Sequence, residues 1–102
     1  MYRVKETQEY INWLEGQNLK EQAQIQSRIA RIRIDGHFGT ARKLDQSLAE
    51  LKWKSGRRVY FSITLDKDGS IIIILLGGNK NTQSKDIRKA KALIRGLEDE
   101  KV

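Results

Sequence analysis

The sequence contains no cysteine and no proline among its 102 residues. Without cysteine there is no disulfide framework and no thiolate metal site, which suits a reducing compartment, and we expect a cytoplasmic protein. No apolar run reaches the roughly 20 residues that span a bilayer, and the polar opening MYRVKETQEY does not resemble a signal peptide, so we expect no contact with a membrane. The length suits one hydrophobic core, and we expect a single domain over residues 1–102.

Acidic residues are few relative to basic ones. There are 13 Asp and Glu against 20 Lys and Arg, which gives a formal net charge of +7. A surplus of this size on a small domain favours a polyanionic partner, such as nucleic acid, an acidic protein or an anionic membrane surface. A basic protein whose charge serves only solubility has the same composition, so the positions of the cations must decide.

The sequence also lacks the usual catalytic and metal-binding signatures. The carboxylates show no metal-ligand spacing, there is no Ser-His-Asp order or Gly-x-Ser-x-Gly elbow, and the Walker spacing of nucleotide hydrolases is missing. The one histidine, His37, lies in a glycine-flanked loop. It is a candidate general acid or base, but an ordinary loop residue is the favoured interpretation because no second histidine supports it. We expect neither a metal nor another cofactor.

Hydropathy patterning predicts an α+β fold in the order β-α-α-β-β-β-α, with room for one more strand. Thr7 and Gly16 are expected to begin and end the first helix, and a longer helix is expected from about Leu19 to Ile34. Strands that follow one another through short turns should pair antiparallel, with the helices on one side of the sheet. The aliphatic run of SIIIILLGG predicts a central strand covered on both faces. A C-terminal helix is expected after Thr82 or Ser84.

Cations concentrate in the stretch AELKWKSGRRVYFSITL, which alternates like two strands around a tight turn. If its apolar residues face the core, the two-residue period of a strand places four other side chains together on the opposite, open face: Lys52, Lys54, Arg58 and Tyr60. Paired strands lie about 4.8 Å apart, so these like charges repel one another, and we expect them to lack acidic partners. An anionic ligand would relieve that repulsion, and an exposed tyrosine among cations suits base stacking. A solvated sheet face is the alternative.

The stretch GGNKNTQSKDI adds a further cation. Lys80 is expected in a loop just before a helix N-terminus, where partial positive charge also attracts phosphate. The two preceding glycines are expected to let the chain leave the central strand sharply and to expose backbone N–H groups. A solvated lysine in an ordinary strand-to-helix turn is the alternative.

Six segments in order carry a family resemblance: WL, RIARI, GHFGTAR, AELKW, GRRVYF and LLGGNKNTQSKDIRKA. With them the chain resembles the RelE/ParE superfamily of toxins from bacterial type II toxin–antitoxin modules, most closely the HigB-like branch of addiction module killer proteins. The resemblance spans nearly the whole chain and implies the small RelE-like α+β fold. It also implies a ribosome-dependent, metal-independent mRNA endoribonuclease that inhibits translation and growth. The implied partners are the ribosome, mRNA and a cognate antitoxin encoded alongside, in many cases a helix-turn-helix protein.

The resemblance also implies roles for individual residues. Arg58 matches the family arginine at the scissile phosphate, Lys52 the basic residue of the strand that contains Glu-Leu, and Lys80 the basic position after the glycine pair. These three are the candidate catalytic residues, and the candidate RNA-binding residues are Arg42, Lys54, Tyr60 and His37.

The sequence departs from the family pattern where acid–base chemistry is concerned. RelE has a tyrosine near its C-terminus, whereas the final helix here has neither tyrosine nor histidine, and His37 stands where relatives often carry asparagine. The general base and acid are therefore open, with Lys52 as one candidate base. Two other classes of function also stay open: a non-catalytic nucleic-acid-binding module and an inactive toxin-like interaction protein. Salt-dependent RNA affinity without cleavage would mark the first.

Overall fold

The computed structural model describes residues 2–99 of the chain. Within them, three helices and five strands follow one another in the order β-α-α-β-β-β-β-α. The strands are β1 (Arg3–Glu6), β2 (Ala41–Lys43), β3 (Ala49–Lys52), β4 (Arg57–Asp66) and β5 (Gly69–Asn79). The helices are α1 (Gln8–Glu15), α2 (Leu19–Asp35) and α3 (Gln83–Asp99), and a 3₁₀ turn, Lys80–Thr82, precedes the last of them. None of these helices has the length and apolarity that crossing a membrane requires.

The helix ends follow from local sequence. The Thr7 side chain accepts a hydrogen bond from the backbone N–H of Tyr10, which caps α1 as predicted. Asn18 caps α2 in the same way, through the N–H of Glu21. Gly36 ends α2 in the left-handed region, at a φ of 69°, where its N–H reaches back to the last helical carbonyls. Both N-terminal helices therefore begin and end close to where the sequence places them.

The five strands form one sheet in the order β1-β5-β4-β3-β2. All neighbours are antiparallel except β1, which runs parallel to β5. The mainly antiparallel sheet and the interior position of β5 are as predicted. A bulge interrupts the β4–β5 pairing, because Tyr60 pairs with Leu76 and Phe61 with Ile74, leaving Leu75 as the extra residue.

The helices cover both faces of the sheet, so the prediction that they pack on one side is wrong. α1 and α2 bury one face, and α3 buries the other. The physical reason is the aliphatic run of β5, which alternates its side chains between the two faces and needs apolar cover on each. The α3 side of the core consists of Leu48, Tyr60, Leu75, Leu76, Ala90 and Ile94.

The glycine pair after the aliphatic run has a different role from the one predicted. Gly77 and Gly78 stay inside β5, paired with Val59 and Arg58, and do not turn the chain out of the strand. A Cβ at Gly77 would lie 2.3 Å from the indole of Trp13 in α1. A Cβ at Gly78 would lie 2.0 Å from a carboxylate oxygen of Asp86 in α3. The two glycines therefore allow close packing by helices on opposite faces.

Candidate active site

The three candidate catalytic residues lie around the turn that joins β3 to β4. Lys52 and Arg58 are directly opposite each other in the β3–β4 ladder. The backbone N–H of Lys80 donates to the carbonyl of Gly56 at 2.7 Å. The methylene groups of Lys80 lie about 3.3 Å from where a Cβ of Gly56 would stand, and Gly56 itself has a φ of 103°, which favours glycine. We call Lys52, Arg58 and Lys80 the cationic site.

Arg58 has an acidic partner, so the expectation that these cations lack one is wrong. Its Nε lies 3.3 Å from Oε1 of Glu50, a side chain that is completely buried. The other carboxylate oxygen lies 3.0 Å from Nη2 of Arg42 and accepts a hydrogen bond from its Nε at 3.1 Å. Nε2 of Gln83 donates to both oxygens, at 2.9 and 3.2 Å. Glu50 therefore joins side chains from β2, β4 and α3.

Burial makes these contacts a requirement for Glu50 in its ionised form. A carboxylate removed from water needs opposite charge and hydrogen-bond donors close to it. Two guanidinium groups face one carboxylate, so the cluster of Arg42, Glu50 and Arg58 keeps one net positive charge. The side chain of Arg58 is only 13% exposed and that of Arg42 is 54% exposed. Arg42, predicted to hold RNA, is therefore the more accessible of the two arginines.

Tyr60 is not exposed, so the prediction that it serves as a stacking platform is wrong. Its ring is fully buried between the sheet and α3, against Ala90 and Ile94. Burial raises the pKa of Tyr60 to about 12, and the charges of Asp86 and Glu50 act in the same direction. The physical reason is that α3 covers the face that the sequence pattern left open. A buried ring cannot stack on an RNA base.

Lys54 and His37 are both exposed, but neither lies on a strand. β3 ends at Lys52, so Lys54 belongs to the turn that leads into β4 and not to a row of strand cations. His37 lies in the loop between α2 and β2, where its backbone N–H donates to the carbonyl of Arg31 at 3.3 Å. The same loop reaches the cationic site through Thr40, whose carbonyl accepts the backbone N–H of Lys52 at 2.9 Å.

Arg28, which the sequence analysis did not single out, ties this loop to the cationic site. Its Nη1 donates to the carbonyl of Lys52 at 2.6 Å, and its Nη2 donates to the carbonyls of Phe38 and Thr40 at 2.9 and 2.8 Å. Its guanidinium carbon also lies 4.2 Å from the centre of the Trp53 ring. Helical spacing could have indicated this role, because position 28 lies beside the buried stripe of α2 that contains Ile25, Ile29 and Ile32.

A separate groove of about 440 Å³ lies between the β2–β3 connection and β4. It is lined mainly by apolar side chains, including Phe38, Leu48 and Phe61, with Arg42 among its polar members. Ile63 also lines the groove and is 49% exposed, and Leu65 on the same face of β4 is 73% exposed. Exposed apolar surface of this kind is typical of partner-binding sites. Across residues 2–99, no three His, Asp or Glu side chains lie together as metal ligands would.

Comparison with known proteins places the chain in a family and identifies its fold. No protein-family model matches the sequence. The chain is 36% identical over 98 residues to an uncharacterized protein of Haemophilus influenzae, a match that covers 93% of this chain and 95% of that protein. A chain in the crystal structure of the toxin–antitoxin complex RelBE2 from Mycobacterium tuberculosis shares the fold with a TM-score of 0.56 at 13% identity, covering 76% of this chain and 96% of that one.

The predicted RelE-like α+β fold is thereby confirmed, since the match covers 76% of a chain with three helices and a five-stranded sheet. At 13% identity the structural likeness concerns the fold alone. The protein has a RelE-like fold and belongs to the same family as the Haemophilus influenzae protein.

Proposed function

We propose that this protein is the toxin of a type II toxin–antitoxin module and an endoribonuclease that cleaves mRNA on the ribosome. We place it in the HigB-like branch of the RelE toxins. One observation carries the proposal: Lys52 and Arg58 lie opposite each other in the β3–β4 ladder, and Lys80 lies against Gly56 in the turn that joins those strands. The structural neighbour was solved as a toxin–antitoxin complex, which supports the same class of role.

In the proposed reaction an RNA 2′-oxygen attacks the adjacent 3′-phosphate. A bond forms between the 2′-oxygen and phosphorus, the bond from phosphorus to the 5′-oxygen breaks, and the products are a 2′,3′-cyclic phosphate and a 5′-hydroxyl. The 2′-hydroxyl gives up a proton and the leaving 5′-oxygen gains one. Negative charge grows on the phosphate oxygens in the transition state, and fixed cations stabilise it most when they are already in place.

In this reaction each candidate residue has a separate role. Arg58 contacts the phosphate, Lys80 adds a second positive charge, and Lys52 is the candidate for proton transfer. Arg42, Lys54 and His37 hold the RNA backbone on either side. Tyr60, being buried, takes no part in RNA contact. Because the described site offers no histidine–carboxylate pair, positioning of the mRNA by the ribosome would supply much of the rate.

The proposed partner is a cognate antitoxin, a helix-turn-helix protein encoded alongside the toxin. The apolar groove and the exposed Ile63 and Leu65 support a protein partner, because such side chains lose contact with water when a partner covers them. Arg42 lines the groove and also contacts Glu50, so a bound antitoxin would lie close to the cationic site. The proposed location of the toxin is the cytoplasm, where ribosomes and mRNA are found.

A non-catalytic RNA-binding module is the second candidate. The observation that favours it is the low exposure of Arg58, 13%, together with the neutralising charge of Glu50 beside it. Such a module would retain salt-dependent affinity for RNA through the exposed Lys54 and Lys80 without cutting it.

The deciding experiment is primer extension on a reporter mRNA in a cell-free translation reaction. We expect discrete cuts inside the reading frame that occur only during translation and are absent with Arg58→Ala. Arg95→Ala is the matched control, because Arg95 is exposed on α3 and its loss changes the net charge equally. Intact mRNA with folded wild-type protein would overturn the ribonuclease proposal and favour the binding module.

Arg58→Ala also removes a partner of the buried Glu50, so its circular dichroism spectrum must match that of the wild type. Arg58→Lys is a second variant. It keeps the positive charge but loses the planar guanidinium group that donates two hydrogen bonds to a phosphate. We expect it to fold and to cleave poorly. Full activity in Arg58→Lys would show that a simple positive charge suffices.

A further inference from the structure

We infer that Glu50 is a positioning residue of the cationic site: its buried carboxylate holds the guanidinium groups of Arg42 and Arg58 in the orientation that receives an RNA phosphate. The inference rests on the proposed function and deepens it, by adding a residue that touches no substrate. Glu50 lies outside the set of basic residues from which the family resemblance builds the site.

The first support is the geometry around the carboxylate. Oε1 faces Nε of Arg58 at 3.3 Å, and Oε2 accepts from Nε of Arg42 at 3.1 Å. The Gln83 amide donates to both oxygens, which fixes the rotation of the carboxylate about its own axis. Because side chains of β2, β4 and α3 contact it together, the Glu50 carboxylate has little rotational freedom. It can therefore fix the orientation of the guanidinium groups that it contacts.

The second support is that the contact leaves part of Arg58 available. Its Nη1 donates to the carbonyl of Arg57 at 3.0 Å, and its Nε faces Glu50 without the alignment of a hydrogen bond. Across residues 2–99, its Nη2 has no hydrogen bond to protein. Nη2 and the second N–H of Nη1 are therefore left to donate to a phosphate, since arginine presents paired N–H groups to phosphate oxygens.

The third support is that folding stability alone does not account for the cluster. A buried ion pair stabilises a fold little better than apolar residues of the same volume, because each charge loses its hydration. Glu50 also reduces the positive charge available for RNA. Glu50 is nevertheless held by side chains from β2, β4 and α3. The orientation that it imposes on the two arginines explains its presence better than stability does.

Three explanations of Glu50 make different predictions for Glu50→Gln. If Glu50 only moderated charge, the variant would bind RNA more tightly and cleave at least as fast. If it only supported the fold, thermal stability would fall while kcat and KM stayed unchanged. If it positions Arg58, kcat falls and KM does not rise, because binding gains from the lost negative charge while the phosphate meets a misplaced guanidinium.

The test compares Glu50→Gln, Glu50→Asp and the matched control Glu15→Gln in the ribosome-dependent cleavage reaction. Glu15 is exposed at the end of α1, so its variant has the same charge change far from the arginines in sequence. We expect kcat of Glu50→Gln to fall about 10- to 100-fold, the range that a displacement near 1 Å produces. Glu50→Asp keeps the charge and should recover part of that loss, and Glu15→Gln should match the wild type.

An activity-independent readout separates this inference from the proposed function. In protein labelled with ¹⁵N-arginine, we expect a resolved Arg58 Nε–Hε resonance that shifts when a non-cleavable 2′-O-methyl oligonucleotide is added. In Glu50→Gln that resonance should move to the averaged position of mobile arginines. Wild-type protein that cuts no mRNA would overturn the ribonuclease function, and the resonance would still report on Glu50.

The positioning role is overturned if Glu50→Gln keeps both the resolved Arg58 resonance and the wild-type kcat. It is also overturned if the variant binds the oligonucleotide more tightly and cleaves faster. If Glu50→Gln fails to fold, Glu50→Asp carries the test: a wild-type kcat there, with a displaced Arg58 resonance, contradicts the inference.

Discussion

Replacing Gly77 by alanine tests the packing that connects α1 to β5. The added Cβ would lie 2.3 to 2.4 Å from three ring carbons of Trp13. Carbon atoms in ordinary contact are about 3.5–4 Å apart, so the indole or the strand must move by about 1 Å. Neither moves easily, because Trp13 packs against the core and beside Tyr10, and Gly77 is paired with Val59 across the ladder.

The expected cost follows from this overlap. Forcing one extra methyl group into a packed core costs about 1–3 kcal/mol, and an overlap of about 1 Å with the Trp13 indole places this substitution near the upper end. The lower entropy of alanine in the unfolded chain offsets roughly 0.4–1 kcal/mol of that. For a domain of this length each kcal/mol corresponds to about 4–8 °C in Tm, so we expect Tm to fall by several degrees or more.

The assay is reversible urea and thermal unfolding followed by circular dichroism, with Gly96→Ala as the matched control. Gly96 lies within α3 and a Cβ there meets no atom within 4 Å, so the same substitution should stabilise the helix by about 0.5–1 kcal/mol. Trp13→Leu should recover part of the loss in the double variant. Gly77→Ala with wild-type stability would refute the packing argument.

Three further predictions concern the loop, the buried phenol and the RNA surface. Arg28→Met removes three hydrogen bonds to carbonyls and should lower the unfolding free energy by about 2 kcal/mol and speed amide exchange in residues 36–40, unlike Arg31→Met on the exposed side of α2. Tyr60→Phe should leave stability at neutral pH within about 1 kcal/mol, because the hydroxyl has no hydrogen bond across residues 2–99. Burial raises the Tyr60 pKa from 10.0 to about 12, so wild-type stability should fall between those pH values as the unfolded chain ionises first. In urea unfolding measured across this alkaline range, Tyr60→Phe should lose the part of the stability decrease that comes from Tyr60. A pH dependence equal to that of the wild type would contradict the raised pKa of Tyr60. Lys80→Gln should reduce the salt dependence of binding to a 2′-O-methyl oligonucleotide by about 0.7 in log–log slope, whereas Lys67→Gln in the β4–β5 turn should not.

The sequence was informative wherever a structure depends on neighbouring residues. The caps at Thr7 and Gly36 act within one helical turn, and the alternation of Val59 and Phe61 follows from the period of a single strand. These features need no knowledge of the rest of the fold. The helix ends and the burial of Val59 and Phe61 were therefore predictable, whereas Ile63 and Leu65 continue the same alternation and are exposed.

The arrangement across the sheet was not predictable in the same way, because it depends on contacts between distant residues. α3 lies over Tyr60, and this burial turns an expected exposed ring into a core residue. The partner of Arg58 is Glu50 on the neighbouring strand, and Arg42 reaches the same carboxylate from β2. Alternation placed Glu50 on the same face as Lys52, but only the register of three strands and the covering helix shows that it is buried against arginines.

The central claim is that the cations at the β3–β4 turn cleave RNA by attack of its own 2′-hydroxyl. The most direct measurement is the chemical identity of the RNA ends that wild-type protein produces on translating ribosomes. The account predicts a 2′,3′-cyclic phosphate on the upstream fragment and a 5′-hydroxyl on the downstream fragment, with neither formed by Arg58→Ala. A 3′-hydroxyl with a 5′-phosphate would contradict it, because those ends come from attack by water and not by the RNA itself.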